Sequence, residues 1–328
     1  MIVIELKRNY KEYIRYVAGL LHTEMKTEDL LILPSSFGDG FMEVIELPNG
    51  LEVLIADIVF HSEVMYKRGK STDYYCNLTF NEVELSGSII FNKDGAQMED
   101  KSDYRAGVAL SSSLSDTSFI VKANTKAKTI NFILTEEWLK GNLNFFEGQH
   151  TLGALTSYKN TLTHPEPFDS QNRILFDEVF HTDRNHPMYK MVVKNRIMFL
   201  LEHFLSKLFR NMNPTGAAVQ KKMKDADLGK LMEVETILVK DFSKPPPTIV
   251  NLAARTGMSV SKLKTSFKRV YNTGIYEYYQ KNRMQKARSL LLTGQYTVKE
   301  VGLQLGYTNL SNFSLAFKKE FGILPSHV

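Results

Sequence analysis

Hydrophobic positions alternate with polar ones over much of the chain between about residues 27 and 134. Short alternating runs separated by Gly, Pro and Asn predict β-strands joined by turns. Two such runs flank Pro48-Asn49-Gly50, and Asn-Gly between alternating apolar residues is a strong hairpin signal. A second turn is predicted at Asp94-Gly95. The pattern therefore predicts a small barrel or sandwich, a shape that often encloses a small-molecule cavity.

After Thr135, a predicted N-cap, the hydrophobic period changes to that of helices. Residues 142–168 are predicted as a loop with a short helix, and residues 172–180 as a helix. A longer helix is predicted to follow His186 and run to about residue 211, with Pro187 in its first turn, where a missing N–H costs little.

This long helix carries apolar residues on more than one side. One stripe recurs every seven residues and has two leucines beside it; its members are Met191, Met198, Leu205, Met212, Leu201 and Leu208. Two interpretations stay open, because such a helix either packs on its own domain or is shared with a second copy of the chain. Lys194 interrupts the second stripe, which argues against a long coiled coil.

Two segments near the end of the chain repeat one pattern. Each has a Thr at the predicted N-cap (Thr248 and Thr297), a short amphipathic helix, and a Gly nine residues later (Gly257 and Gly306). A short turn and a second helix follow each Gly. Two such segments in register, 49 residues apart, predict two helix-turn-helix units and therefore a DNA-binding domain.

The second helix of each unit is predicted to bury one face and to present the other to the major groove. In the first unit the presented residues are Ser261, Lys264, Thr265 and Lys268. In the second unit they are Leu310, Ser311, Ser314, Leu315 and Lys318. Polar side chains can bond base edges, whereas leucines can only touch thymine methyls or pack.

One long helix, from Ile275 to about Leu292, is predicted to join the two units. Its apolar residues would hold the units in a fixed relation, and its basic residues are Lys281, Arg283, Lys286 and Arg288. These cations either face solvent, contact phosphates, or pair within the domain.

Charge is distributed unevenly along the chain. Residues 245–328 contain 12 Lys and Arg against three acids, a net charge of +9, which leaves −4 for the rest of a chain of net charge +5. This asymmetry favours a polyanion partner for the C-terminal part. The chain has a single cysteine, Cys76, and its N-terminal sequence is unlike a signal peptide. It also has no long apolar run. These features together suggest a cytoplasmic protein without a membrane partner.

The C-terminal residues resemble the AraC family of bacterial transcription regulators. The resemblance covers roughly residues 225–328 and rests on Ala253-Ala254 before Gly257, on residues 283–291, and most strongly on residues 301–325. It implies that the two second helices enter successive major-groove turns of promoter DNA, with base contacts from the face residues named above. It also implies RNA polymerase as a partner and favours activation. Leu315 departs from the family, where a polar or basic residue is common.

The N-terminal half resembles the sensor halves of pyochelin-responsive, siderophore-type regulators. The resemblance rests on the turn at residues 46–51, the segment at 132–139 and the helix after His186. It implies a small-molecule effector. A second hypothesis is a domain that only dimerises or contacts proteins. Aromatic residues of this half either line a cavity or fill a core; they include Phe41, Tyr74, Tyr75, Phe80, Phe91 and Trp138.

An enzyme would have to reside in a cupin-like N-terminal barrel, which binds metal through clustered histidines. The candidates His22, His61, His150 and His164 are isolated in sequence, and His181 with His186 lies at a loop–helix boundary. No phosphate loop or nucleophile motif is present. We therefore expect no enzymatic activity, no metal and no cofactor.

The predicted fold class is α+β with two domains. The expected plan is a strand-rich ligand-sensing domain over residues 1–170 and a helical dimerisation or packing region over 171–212. A linker at 213–225 then leads to a double helix-turn-helix domain at 226–328.

Overall fold

A computed structural model describes residues 1–84, 89–100, 104–143, 166–212 and 225–328. They form two compact units, one of Met1–Glu166 with Phe209–Ala217 and one of Pro167–Leu208 with Ala218–Val328. The predicted linker, except residue 225, and most of the predicted loop and short helix at 142–168 lie outside the described residues. Among the described helices, none combines the length and low charge that a membrane span requires.

The first unit is built from strands, as the alternating pattern predicts. Its elements are β1 (Ile2–Glu5), α1 (Tyr10–Leu20), β2 (Leu30–Ile32), β3 (Gly38–Glu46), β4 (Glu52–Phe60), β5 (Val64–Arg68), β6 (Tyr75–Glu84), β7 (Ile89–Lys93), β8 (Ala96–Asp100), β9 (Tyr104–Ser112), β10 (Thr117–Val121), β11 (Lys126–Thr135), α2 (Glu136–Asn142) and β12 (Glu166–Pro167).

The strands form two sheets. The order in the larger sheet is β12-β9-β6-β11-β4-β3-β2, and the order in the smaller is β1-β5-β10-β7-β8. Strands β1 and β5 run parallel, whereas β3–β4, β6–β11 and β7–β8 are antiparallel. One core combines apolar side chains of both sheets with those of α1, including Val44, Ile58, Val64 and Val17.

Both predicted turns of this unit are confirmed. Strands β3 and β4 meet at Leu47–Leu51, where the Leu47 N–H donates to the Leu51 carbonyl. Strands β7 and β8 meet at Asp94 and Gly95, which both have positive φ, with Lys93 opposite Ala96. Thr135 caps α2 as predicted, because its side chain accepts from the Trp138 N–H. Strand β1 and helix α1 lie before residue 27, outside the predicted pattern.

The second unit is helical. Its elements are α3 (Ser170–His181), α4 (Tyr189–Met212), α5 (Asp225–Val239), α6 (Ile249–Thr256), α7 (Val260–Tyr271), α8 (Ile275–Leu292), α9 (Val298–Gln304), α10 (Leu310–Phe321) and a short 3-10 helix (Pro325–His327). The strand-rich first unit and the helical second unit confirm the predicted fold class. The residues of α3 and of α4 as far as Leu208 fall in the same compact unit as α5 to α10.

Helix α4 differs from prediction at its start. Pro187 lies in a turn that precedes the helix, because the Tyr189 N–H bonds the His186 carbonyl and the Met188 N–H bonds the His186 ring. The predicted seven-residue stripe is divided, since Leu205 is buried while Met191 is exposed. The buried residues of α4, as far as its side chains are described, are Tyr189, Val193, Ile197, Leu200, Leu201, Phe204, Leu205 and Leu208.

Candidate DNA interface and ligand cavity

The first helix-turn-helix unit consists of α6 and α7. The Thr248 side chain caps α6 by accepting from the Asn251 N–H, and Ser259 caps α7 by accepting from the Lys262 N–H. Between them Gly257 adopts φ +60°. These three predicted features are confirmed, so local capping and one left-handed residue set the sharp turn between the two helices.

Helix α7 has one buried and one exposed face. Leu263, Ser266, Phe267 and Tyr271 are buried. The predicted reading residues Ser261, Lys264, Thr265 and Lys268 are all exposed. Of the neighbouring cations, Lys262 pairs with Asp227 at 2.8 Å. The exposed face thus offers two lysines and two hydroxyls that can donate to base edges or phosphates.

The second unit consists of α9 and α10. The predicted capping box is confirmed, because the Glu300 N–H donates to the Thr297 hydroxyl at 3.2 Å and the Thr297 N–H donates to the Glu300 carboxylate at 2.7 Å. The bond from the Thr297 N–H lowers the pKa of Glu300. Helix α10 begins after Asn309, whose side chain accepts from the N–H groups of residues 311 and 312.

Helix α10 presents its predicted residues unequally. Ser311, Leu315 and Lys318 are exposed, with Leu315 at 66%. Leu310 and Ser314 are half-buried. Leu310 packs on α9, since a Cβ built at Gly302 would lie 2.8 Å from its Cδ2 atom. The exposed face of α10 is therefore less polar than that of α7.

Helix α8 joins the two units as predicted. Its first turns supply Ile275, Tyr278 and Tyr279 to the core of the first unit. Its later turns supply Met284 and Ala287 to the core of the second unit. Phe242, after α5, packs against both cores. One continuous helix therefore fixes the positions of α7 and α10 relative to each other.

Arg283 of α8 is buried, which the sequence pattern leaves open. Its Nε and Nη2 atoms both donate to the Leu305 carbonyl at the end of α9, with the Nε bond at 2.9 Å. Its guanidinium lies 3.9 Å from the ring centroid of Tyr307. Arg283 therefore fastens α9 to α8 and is not available to phosphates.

Helix α3 packs on α8 through a buried ionic network. Arg173 forms two hydrogen bonds with Glu235 of α5, and Glu235 also accepts from the Tyr278 hydroxyl at 2.8 Å. Burial and the nearby Glu235 carboxylate raise the pKa of Tyr278 well above its usual value. Sequence reasoning missed this network, although a signal exists: Arg173 lies on the helix face of Phe176 and Phe180, where an apolar residue would be usual.

The first unit contains a cavity of about 180 Å³ between its two sheets and α1. Its lining includes apolar side chains such as Phe60 and Phe119, and polar ones such as Arg68, Asn81 and Asn131. Of the aromatics predicted as cavity or core, Phe80 is fully buried and Phe91 lines the cavity. Arg68 was also missed, although the alternation Val64, Tyr66, Arg68 places it on the buried face of β5.

The predicted histidine candidates do not come together in the described residues. His61 bonds the Ser35 carbonyl at 2.8 Å and Asp39 at 3.1 Å, and the bond to Ser35 raises the pKa of His61. His181 bonds the Asp177 carbonyl. His150 and His164 lie outside the described residues. Within the described part of the chain, no group of three His, Cys, Asp or Glu could hold a metal ion.

Comparison with known proteins finds a helix-turn-helix family match and similarity to transcriptional regulators. A family model described as a helix-turn-helix domain matches residues 252–328. The HTH-type transcriptional regulator AlkR of Acinetobacter baylyi is 33% identical over 86 residues, which cover 26% of this chain and 28% of AlkR. The matched segments span between about a quarter and a third of the length of the curated relatives.

Solved structures similar to this chain include those of two bacterial proteins. A probable AraC family transcriptional regulator from Rhodopseudomonas palustris is 29% identical, with a TM-score of 0.27; the match covers 30% of this chain and 92% of that protein. Fatty-acid-bound ToxT from Vibrio cholerae is 15% identical, covers 84% of this chain and 93% of its own, and has a TM-score of 0.30. The family match, together with the two capped units on one helix, shows that residues 252–328 of this chain form a helix-turn-helix domain.

Proposed function

We propose that this chain is a sequence-specific DNA-binding transcription regulator that acts in the cytoplasm of a bacterium. Helices α7 and α10 read adjacent major-groove segments of promoter DNA. The observation that carries the proposal is the pair of exposed reading faces, one with Lys264 and Lys268 and one with Ser311 and Lys318, held by the single helix α8. The match of residues 252–328 to a helix-turn-helix domain and the similarity to the transcriptional regulator AlkR support it.

The proposed base contacts are those of the two exposed faces: Ser261, Lys264, Thr265, Lys268, Leu310, Ser311, Ser314, Leu315 and Lys318. Lys264 and Lys268 are the strongest candidates, because both are exposed and opposite the buried Leu263 and Phe267. Lysines here can bond guanine or neutralise phosphate. Half-buried Leu310 contributes mainly by packing on α9.

The first unit is the proposed regulatory part. Its cavity binds a small molecule, and binding changes the affinity of the second unit for DNA. A cavity that is lined by both apolar and polar groups favours a ligand site over a plain core. RNA polymerase is the proposed protein partner at the promoter.

A second candidate role for the regions before the DNA-binding domain is dimerisation without a ligand. Met188, just before α4, and Met191, in its first turn, are exposed, as is Phe199 two turns later. Exposed apolar side chains of this size on one helix suit a second copy of the chain. Sedimentation velocity across a concentration series would detect that dimer.

The test of the DNA-binding proposal is selection of bound fragments from genomic DNA at two salt concentrations. We expect a site with two short blocks about one helical turn, or roughly 10 bp, apart, and retention of that site at the higher salt. Recovery of unrelated fragments that are lost at high salt would mean electrostatic binding alone and would refute sequence-specific reading.

A further inference from the structure

The cavity of the first unit has an unusual wall. On β6, residues Asn77, Thr79 and Asn81 line the cavity, whereas the alternating Leu78 and Phe80 are buried on the other face. On the neighbouring β11, Thr129 and Asn131 line it in the same way, with Asn131 opposite Thr79. The inner face of a packed sheet is ordinarily apolar. This polar row therefore indicates a site for a ligand with polar groups.

Most side chains of this polar row form hydrogen bonds within the protein, but one buried oxygen atom has no partner. The Thr79 hydroxyl donates to Asn131 at 2.9 Å, Asn131 donates to Thr129 at 3.0 Å, and the Tyr10 hydroxyl donates to Asn77 at 3.3 Å. The Oδ1 atom of Asn81 is buried without a hydrogen-bond partner. A buried oxygen of this kind costs free energy unless a donor reaches it.

Arg68 brings a positive charge to the same cavity and is only 6% exposed. Its Nη1 and Nη2 atoms donate to the Ser111 hydroxyl at 3.2 Å and to the Ser112 carbonyl at 2.8 Å. Its Nε atom is buried and has no partner. Among the described residues, its guanidinium forms no ion pair with a carboxylate.

A buried cation without a counter-ion is costly, because desolvation is not repaid by a facing negative charge. Burial accordingly lowers the pKa of Arg68. An arginine fork recognises planar oxyanions, and carboxylates above all. A ligand carboxylate would supply the missing charge and a partner for the free Nε–H.

We infer that the cavity binds a small amphipathic carboxylate, which pairs its head group with Arg68 and packs its apolar body against Phe60, Phe91 and Phe119. This inference rests on the proposed ligand control and names the chemical class of the ligand. A donor on the ligand would satisfy Asn81. The volume of about 180 Å³ limits the body to one ring or a short chain, since an engineered apolar cavity of about 150 Å³ binds benzene.

The experiment compares matched probes on the full chain by titration calorimetry. Octanoate is paired with octan-1-ol, and 3-phenylpropanoate with 3-phenylpropan-1-ol. We expect at least one carboxylate to bind about tenfold more tightly than its alcohol, the value of one charge-assisted hydrogen bond. Arg68→Met should abolish that preference while leaving alcohol binding in place. Arg15→Gln removes an exposed arginine of α1 and should leave the preference unchanged.

A further variant keeps the inference testable if Arg68→Met does not fold. Asn81→Asp has nearly the same size and puts a carboxyl group into the cavity, where it competes for Arg68 or repels the probe. It should reduce the preference for the carboxylate over its matched alcohol about tenfold.

Three outcomes would overturn the inference. They are equal binding of carboxylate and alcohol by the wild-type protein, no binding of any probe, and a preference that survives in Arg68→Met. The last would move the anion contact to Lys7, the other cation among the described residues that line the cavity. DNA binding to the selected site, measured without probe on the same preparations, separates these results from a failure of the proposed function.

Discussion

Arg173 and Glu235 form a two-pronged ion pair inside the second unit, with Nε–Oε1 at 2.9 Å and Nη2–Oε2 at 3.0 Å. The two side chains are 1% and 2% exposed. The pair joins α3 (Ser170–His181), which lies well before the first helix-turn-helix unit, to α5 and through Tyr278 to α8. Helix α3 is therefore part of the framework that supports the reading helices.

Breaking this pair should destabilise the second unit strongly. Glu235→Gln removes the bidentate partner of a buried arginine and should lower the free energy of unfolding by about 3 to 5 kcal/mol. Urea denaturation measures the loss. The exposed pair Arg255–Glu233, at 3.2 Å, is the matched control, and Glu233→Gln should cost less than about 1 kcal/mol. Equal losses in the two variants would show that the buried pair contributes no more than a surface pair.

Gly306 occupies a position that no other residue can fill without strain. Its φ is +74°, and a Cβ there would lie 2.3 Å from the Ser243 carbonyl oxygen. Gly306→Ala should therefore cost more than the roughly 1 to 3 kcal/mol of a strained backbone alone, because the chain at Ser243 must also move. Gly322 has φ +75° and open space around it. Gly322→Ala therefore measures the cost of backbone strain alone. An equal fall in thermal stability for both variants would contradict a steric clash between residue 306 and Ser243.

Arg283→Lys separates a structural arginine from a phosphate contact. Lysine cannot donate twice to the Leu305 carbonyl in a fork or stack flat on Tyr307, so we expect lower thermal stability of the second helix-turn-helix unit. The slope of log affinity against log salt concentration should not change. A slope reduced by about one would mean that Arg283 releases a counter-ion and therefore contacts DNA.

Lys264→Ala should weaken DNA binding and relax base preference at one position of the site, by about 1 to 3 kcal/mol of discrimination. Binding to a set of singly substituted sites measures this preference. Lys26, an exposed lysine of the first unit, provides the charge control, and Lys26→Ala should leave the preference profile intact. A uniform loss of affinity on all sites would make Lys264 a phosphate contact.

The ionisation of Asp169 should make the stability of the second unit depend on pH. Burial by itself would raise the pKa of this carboxyl. The hydrogen bonds from His203 and from the Asn172 N–H outweigh burial, so the pKa is lowered. The ionised form thus stabilises the folded state fully above the unfolded pKa of about 4, and the contribution is lost as the pH falls through the lower, folded value.

Asp169→Asn keeps the cap of α3 and removes the charge. It should lower the free energy of unfolding at pH 7 by about 1 to 2 kcal/mol, a difference that shrinks as the pH falls below about 4. Urea denaturation between pH 3 and 7 measures it. A difference that stays constant with pH would show that the charge of Asp169 does not stabilise the fold.

The sequence by itself determined the features that depend on neighbours along the chain. Helix caps at Thr248, Ser259 and Thr297, and the left-handed turn at Gly257, follow from side chains that bond backbone groups two or three residues away. The exposed faces of α7 and α10 follow from helical periodicity. The hairpin at Asn49-Gly50 follows from turn chemistry.

Only the tertiary structure decided the features that join distant residues. Arg173 lies 62 residues from Glu235, and the inward Arg68 meets Ser111 across 43 residues. A charged residue on an apolar face can be recognised in the sequence. Its partner cannot, because the neighbouring residues do not indicate which element packs against that face. Gly306 could be assigned to a turn from its spacing, whereas its approach to Ser243 required the packed chain. Hydrogen bonds between near neighbours can be inferred from short spacings in the sequence, whereas burial depends on the whole fold.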